Sequence, residues 1–74
     1  MAIKTMADIE DVFSYHAPTL AQQEALVAVR TTAKEMAEVI LNRVPDSADR
    51  SAAFRLLREC VMTSNAAIVL EGRH

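Results

Sequence analysis

Few side chains in this 74-residue sequence could do chemistry, and they lie far apart. The one candidate nucleophile is Cys60, the sole cysteine; the candidate bases are His16 and His74. A nucleophile, base and orienter would have to come from these and from scattered carboxylates. Helical periodicity instead places Cys60 on a core stripe as an inert small apolar residue, and His74, the last residue, is expected to be mobile. Glu35 and Glu38 read as a solvated helix face. With Gly72 the only glycine, a glycine-rich phosphate loop is excluded. Cys60, His16 and His74 are too few for a zinc site, and one cysteine forms no intrachain disulfide. The sequence therefore predicts no enzyme, no metal and no cofactor.

Binding chemistry is better served. Tyr15, the only tyrosine, lies in Ser14-Tyr15-His16-Ala17-Pro18, which is expected to be extended because Ala17 precedes a proline. A loop tyrosine offers a flat face for stacking on a base, plus a hydroxyl. It could equally pack across the fold and fix the segment before it. Arg30 has Leu26, Val27, Ala33 and Lys34 three and four residues away, so no acid on its own helix pairs with it. Arg30 and Lys34 put two cations on one face, which an anion between them would relieve. Phosphate suits the planar arginine fork. A solvated arginine or an intersubunit salt bridge is the other reading, and Lys34 also has Glu38 at i+4. Arg58 is likewise unpaired along its helix. Thr63-Ser64-Asn65 interrupts an apolar stretch; it could line a pocket, bridge two subunits, or bond back to helix carbonyls.

The elements that must position these residues follow from composition and punctuation. Hydrophobic residues make up 51% of the chain and aromatics 4%, with helix formers dominant. Pro18 and Pro45 divide the sequence into three. In the lead segment, residues 1–18, Met6–Phe13 is expected to make a short helical turn. Thr19 with Gln22 forms a capping-box pattern opening a helix over about 19–44, with a stripe of Leu26, Val29, Ala33, Met36, Ala37, Ile40 and Val44. Asp46 or Ser47 caps a second helix over about 46–70, with Gly72 just beyond its end. Its stripe is Ala53, Leu56, Leu57, Cys60, Val61, Ala67 and Ile68. Two such helices joined by a short turn pack antiparallel. The fold class is all-α: one domain over 1–74, an αα-hairpin behind a short lead segment.

That hairpin has too many apolar faces. Val27, Val39, Leu41, Phe54, Met62 and Val69 fall off the main stripes, and a helix apolar on several sides is buried on several sides. A chain this short is also marginal as a monomer. A homo-oligomer is expected, with a dimer and a higher-order particle both open on these grounds. The net charge of −2 and the pI of about 5.5 disfavour duplex DNA or RNA as a partner. No apolar run is long enough to span a membrane, and the N-terminal segment lacks the apolar stretch of a secretory signal. A lone, reduced cysteine fits the cytoplasm.

The order of the residues adds a resemblance. Phe13-x-Tyr15-His16-x-Pro18 is followed by Arg30-x-x-Ala33-Lys34-x-x-Ala37-x-x-Ile40, then Pro45-x-Ser47, Leu57-x-x-x-Val61-Met62 and Asn65-Ala66-Ala67-Ile68. Over about residues 12–70 this resembles the phage anti-CBASS sponges, helical hairpins that sequester the cyclic oligonucleotide signals of bacterial antiviral immunity. The hairpin is shared with a Thoeris anti-defence sponge. The resemblance implies a homohexamer that binds cyclic dinucleotides between protomers, with separate pockets near the threefold axis taking cyclic trinucleotides in some members. It also implies the cytoplasm of the host cell. Carried onto this chain, Tyr15 would stack on a base and Arg30 would meet phosphate, with His16 and Lys34 beside them. Thr32 would belong to a trinucleotide pocket. Members often carry a tryptophan and an arginine near the end. Here Met62-Thr63-Ser64-Asn65 lacks the first, and Arg73, past Gly72, is the candidate to replace the second.

Physics and resemblance converge. A cyclic dinucleotide has two bases and two phosphates in near-twofold array, and a twofold protein interface presents every side chain twice. One Tyr15 and one Arg30 per chain would supply two stacking faces and two cations. A reading from another class also stands: a helical oligomerisation or adaptor module that holds a protein partner in an apolar groove.

Overall fold

The computed structural model describes residues 3–74 and is all-helical among them: α1 (Met6–Phe13), α2 (Leu20–Arg43) and α3 (Ala48–Val69). The first two residues of the lead segment lie outside the described part. The all-α hairpin expected from the sequence is present, and the lead segment carries a helix of its own.

Each start is fixed by a side chain that satisfies backbone N–H groups the first turn leaves free. Thr5 accepts from the Asp8 N–H at 3.2 Å, while the Asp8 carboxylate accepts from the N–H groups of Lys4 and Thr5 at 2.9 and 3.0 Å. Those bonds hold the Asp8 carboxyl below its ordinary range, the Lys4 N–H first among the causes. Thr19 and Gln22 make the same reciprocal box at the head of α2, at 3.2 and 2.9 Å. Ser47, rather than Asp46, caps α3 by accepting from the Arg50 N–H at 3.1 Å. Asp46 instead meets Arg50 across one helical turn at 3.3 Å. Val44 stays extended ahead of Pro45, which ends α2.

The far end of α3 is less ordinary. Glu71 and Gly72 both have positive φ, 54° and 71°. The Glu71 N–H bonds to the Ile68 carbonyl at 3.2 Å, and the Gly72 N–H to the Ala67 carbonyl at 3.0 Å. This is a Schellman closure with glutamate where glycine is usual. A non-glycine residue in that region costs roughly 1–2 kcal/mol. Gly72 has open space around the position of a Cβ, so its conformation and not crowding favours glycine there.

The long helices pack antiparallel, and α1 makes no close backbone approach to either of them. Burial is sparse: only Ile40 and Leu70 are core residues among those described, 5% and 6% exposed. The accessible surface is 5775 Å², against about 4,500 Å² for a compact monomer of this mass. The radius of gyration is 15.3 Å, against roughly 11 Å for a compact chain of this length. Large apolar side chains contribute to it. Met36 and Leu56, read as stripe residues, are exposed, as are Val27, Val39, Leu41 and Met62.

The stripe on α3 is also rotated from the sequence reading. Phe54 and Val69 are half-buried, although the sequence set them off the stripe; Cys60 and Ala67 are exposed. Cys60 is thus not core in the protomer. Leu57 and Val61 stay half-buried, and with Ala33 and Ala37 of α2 they line a groove along the seam.

Candidate functional site

The seam between α2 and α3 opens on both sides. Ala33, Leu57 and Val61 line two grooves in common. The first, about 530 Å³, is completed by Ala28, Val29, Thr32, Met36 and Cys60. The second, about 460 Å³, is completed by Ala37, Phe54, Arg58 and Met62. Both are open troughs, overwhelmingly apolar, rather than enclosed cavities.

The candidate ligand residues distribute around this seam. Thr32 lies in the first groove. Arg30 is two positions earlier, so it points about 160° away around α2, toward the side of the second groove. Lys34 follows Arg30 on that face. Both are exposed, and neither makes an ion pair among the described residues. Arg58, on α3, borders the second groove. The sequence showed Arg58 to be unpaired but gave it no ligand; its signal was the shared side of the hairpin, which needs the antiparallel register to be seen. No hydrogen bond or salt bridge brings Thr32 to Arg30 or Lys34 within one protomer.

Tyr15 occupies the extended linker between α1 and α2 and is 88% exposed. It does not pack across the hairpin. Its neighbours on either side are tied down: Ser14 Oγ donates to the Glu10 carbonyl, and His16 Nε2 donates to the Asp11 carbonyl. The His16 ring also lies 3.6 Å from the Asp11 carboxylate. Within the protomer, then, His16 is engaged with α1. Leu20 and Arg30 are separated by roughly 15 Å of helix rise, and no hydrogen bond joins Tyr15 to Arg30 among the described residues.

Asp11 is the strongest electrostatic feature. Arg73 grips its carboxylate with Nε and Nη2, both at 2.9 Å, and His74 Nε2 bonds to Oδ2 at 2.8 Å. The arginine fork first, then His74, draws the Asp11 carboxyl from its ordinary 3.8 down to about 2. The same pair pushes the Arg73 guanidinium up, the Asp11 hydrogen bond first among the causes. His74, expected to be mobile, is 5% exposed at its side chain and fixed on α1. Its Nδ1 is buried without a partner, as is Oδ1 of Asn65. Arg73 is committed to Asp11. Gln22 adds a second bridge at this end, donating to the Ile68 carbonyl and the Glu71 carboxylate, both at 3.3 Å.

Among the described residues no group of side chains is placed to hold a metal ion, and no described helix is long and apolar enough to cross a membrane. The family model for the Acb2/Tad1 hairpin domain matches residues 6–69, a span that contains every candidate ligand residue and both grooves. No curated protein and no solved structure matches the chain.

Proposed function

This chain belongs to the Acb2/Tad1 hairpin family, and from that premise we propose that it is a non-enzymatic sponge for cyclic oligonucleotides, blocking antiphage immune signalling. The observation that carries the reading is the family match laid over an exposed Tyr15 and an unpaired Arg30 and Lys34. Cyclic dinucleotides are the first ligand class. Tyr15 stacks on a base, Arg30 and Lys34 take the phosphates, and His16 stands beside the ring. Thr32, directed to the other side of the hairpin, serves a separate cyclic trinucleotide pocket.

The particle is a homo-oligomer, a hexamer by family. Two open apolar grooves and the excess of exposed apolar surface support assembly, because burying such surface is the main force in association. A second copy then supplies the residues that one protomer keeps apart. The working place is the cytoplasm of the infected cell, and residues 1–74 form a single domain. A sponge acts by stoichiometry, so its ligand must survive binding.

The test is direct. Mixed in excess with a cyclic dinucleotide, the protein removes it from solution, and heat denaturation returns it intact. Linear products in the eluate would overturn the sponge reading in favour of a nuclease. Absence of any nucleotide-dependent rise in melting temperature, across cyclic di- and trinucleotides, would favour the adaptor module instead.

A further inference from the structure

We infer that Asp11 is a positioning residue for Tyr15: through it, the end of α3 holds the aromatic loop in a fixed pose before any ligand arrives. The inference rests on the sponge reading for its ligand, but not for its geometry. Tyr15 projects freely, yet the loop around it is closed. Ser14 and His16 bond to the carbonyls of Glu10 and Asp11, two of the acceptors that a helix end leaves unsatisfied. The loop therefore moves only with the last turn of α1.

Apart from the half-buried Val12, that last turn has no other polar tie to the hairpin among the described residues. The α1 backbone does not approach α2 or α3 closely, and Phe13 is exposed. The anchor is the Asp11 carboxylate, held by Arg73 in a two-point fork and by His74. Planar bidentate pairing fixes orientation as well as distance. The route of the chain toward this anchor is unusual. Glu71 and Gly72 take consecutive left-handed conformations, and Glu71 is secured by Gln22 at the head of α2. A non-glycine residue persists in such a conformation where its surroundings over-determine it. Here the turn delivers Arg73 and His74 to Asp11. A stacking ring held in place this way loses less freedom on binding, and affinity rises accordingly.

The chain's composition supplies the probe. Tyr15 is the only tyrosine and there is no tryptophan, so intrinsic emission reports on Tyr15 alone. Fluorescence anisotropy of the full-length protein, and its affinity for cyclic GMP–AMP, are measured for the native chain, Asp11→Asn, Arg73→Gln, their double variant and Asp11→Glu. Asp11→Asn and Arg73→Gln should each lower the anisotropy and weaken binding about tenfold, the scale of one ordered side chain. Far-UV helicity and particle mass should not change. The double variant should be no worse than the poorer single one, since both break one contact, and Asp11→Glu should recover most of the loss. Native anisotropy in Asp11→Asn and Arg73→Gln would overturn the inference, as would lowered anisotropy with unchanged affinity. If the native protein binds no cyclic GMP–AMP, that counts against the sponge reading for this ligand, and the anisotropy comparison still decides whether Asp11 fixes Tyr15.

Discussion

Around Ala33, Leu57 and Val61 the hairpin meets itself through apolar side chains and leaves a groove on either side. At its open end Asp11, Gln22, Glu71, Arg73 and His74 join segments up to 63 residues apart through charged and polar groups. Among the described residues, all the side-chain hydrogen bonds between distant parts of the chain lie at that end. The difference teaches where the molecule is self-sufficient. The open end makes most of its polar contacts within one chain, with His74 Nδ1 the exception. The seam is not self-sufficient, because apolar grooves gain free energy only when something covers them.

Placing a charge in the seam should break this contrast most violently. Leu57 borders both grooves, so Leu57→Asp sets one carboxylate on the wall they share. An uncompensated charge in an apolar interface costs several kcal/mol. The particle should fall apart to chains of 8.1 kDa with loss of helical signal, whereas Arg73→Gln leaves the mass unchanged. An intact particle in native mass spectrometry of Leu57→Asp would mean that the grooves are not the seam between copies.

Smaller effects should separate binding from assembly. Tyr15→Ala should weaken cyclic dinucleotide binding by about 1–3 kcal/mol, the usual worth of a base stack, with the oligomer preserved. Arg30→Ala should cost about 1.5 kcal/mol, as for a hydrogen bond to a charged group, and should also flatten the dependence of affinity on salt. Titration calorimetry at two salt concentrations reads both. Equal salt sensitivity in Arg30→Ala and the native protein would remove phosphate from the role given to Arg30.

The two regions were not equally legible in the sequence. The seam and the caps depend on near neighbours. Thr19 and Gln22 are three residues apart, and Val27, Val39 and Leu41 declared by periodicity that two helices could not bury them all. The phase of the α3 stripe was less legible. Leu56 and Cys60 satisfy the same spacing as Leu57 and Val61, and which pair turns inward depends on how α3 lies against α2, which spacing along one helix does not carry. The Thr5–Asp8 box was missed because aspartate is a shorter partner than the glutamate or glutamine usual at that position. The Asp11 clasp left no local trace. Arg73 stands 62 residues away, and His74 read as mobile because it is the last residue. The ligand set was approached through type and order alone, and its opposed faces, Thr32 on one side and Arg30 on the other, emerge only with the seam in place.

The gentlest perturbation of the contrast is acid. The folded chain holds the Asp11 carboxyl at about 2, below its ordinary 3.8, so the folded state takes up the proton later than the unfolded one. What Asp11 contributes is therefore complete above about pH 4 and is lost as pH falls through about 2. The groups facing it are Arg73, His74 and His16, with Glu71 near Arg73 and Asp8 near His74. Arg73, the largest cause of the shift, stays charged throughout, so the fork needs no protonated histidine. Tyr15 anisotropy should accordingly hold level from neutral pH through pH 4 and fall only near pH 2, as the folded Asp11 carboxyl takes up its proton. Because the Arg73 side of the clasp is partly exposed, at 43%, the accompanying change in melting temperature should be slight beside that of Leu57→Asp. A fall in anisotropy well above pH 4, where the Asp11 carboxyl is fully ionised, would instead take the hold on the loop away from the arginine fork.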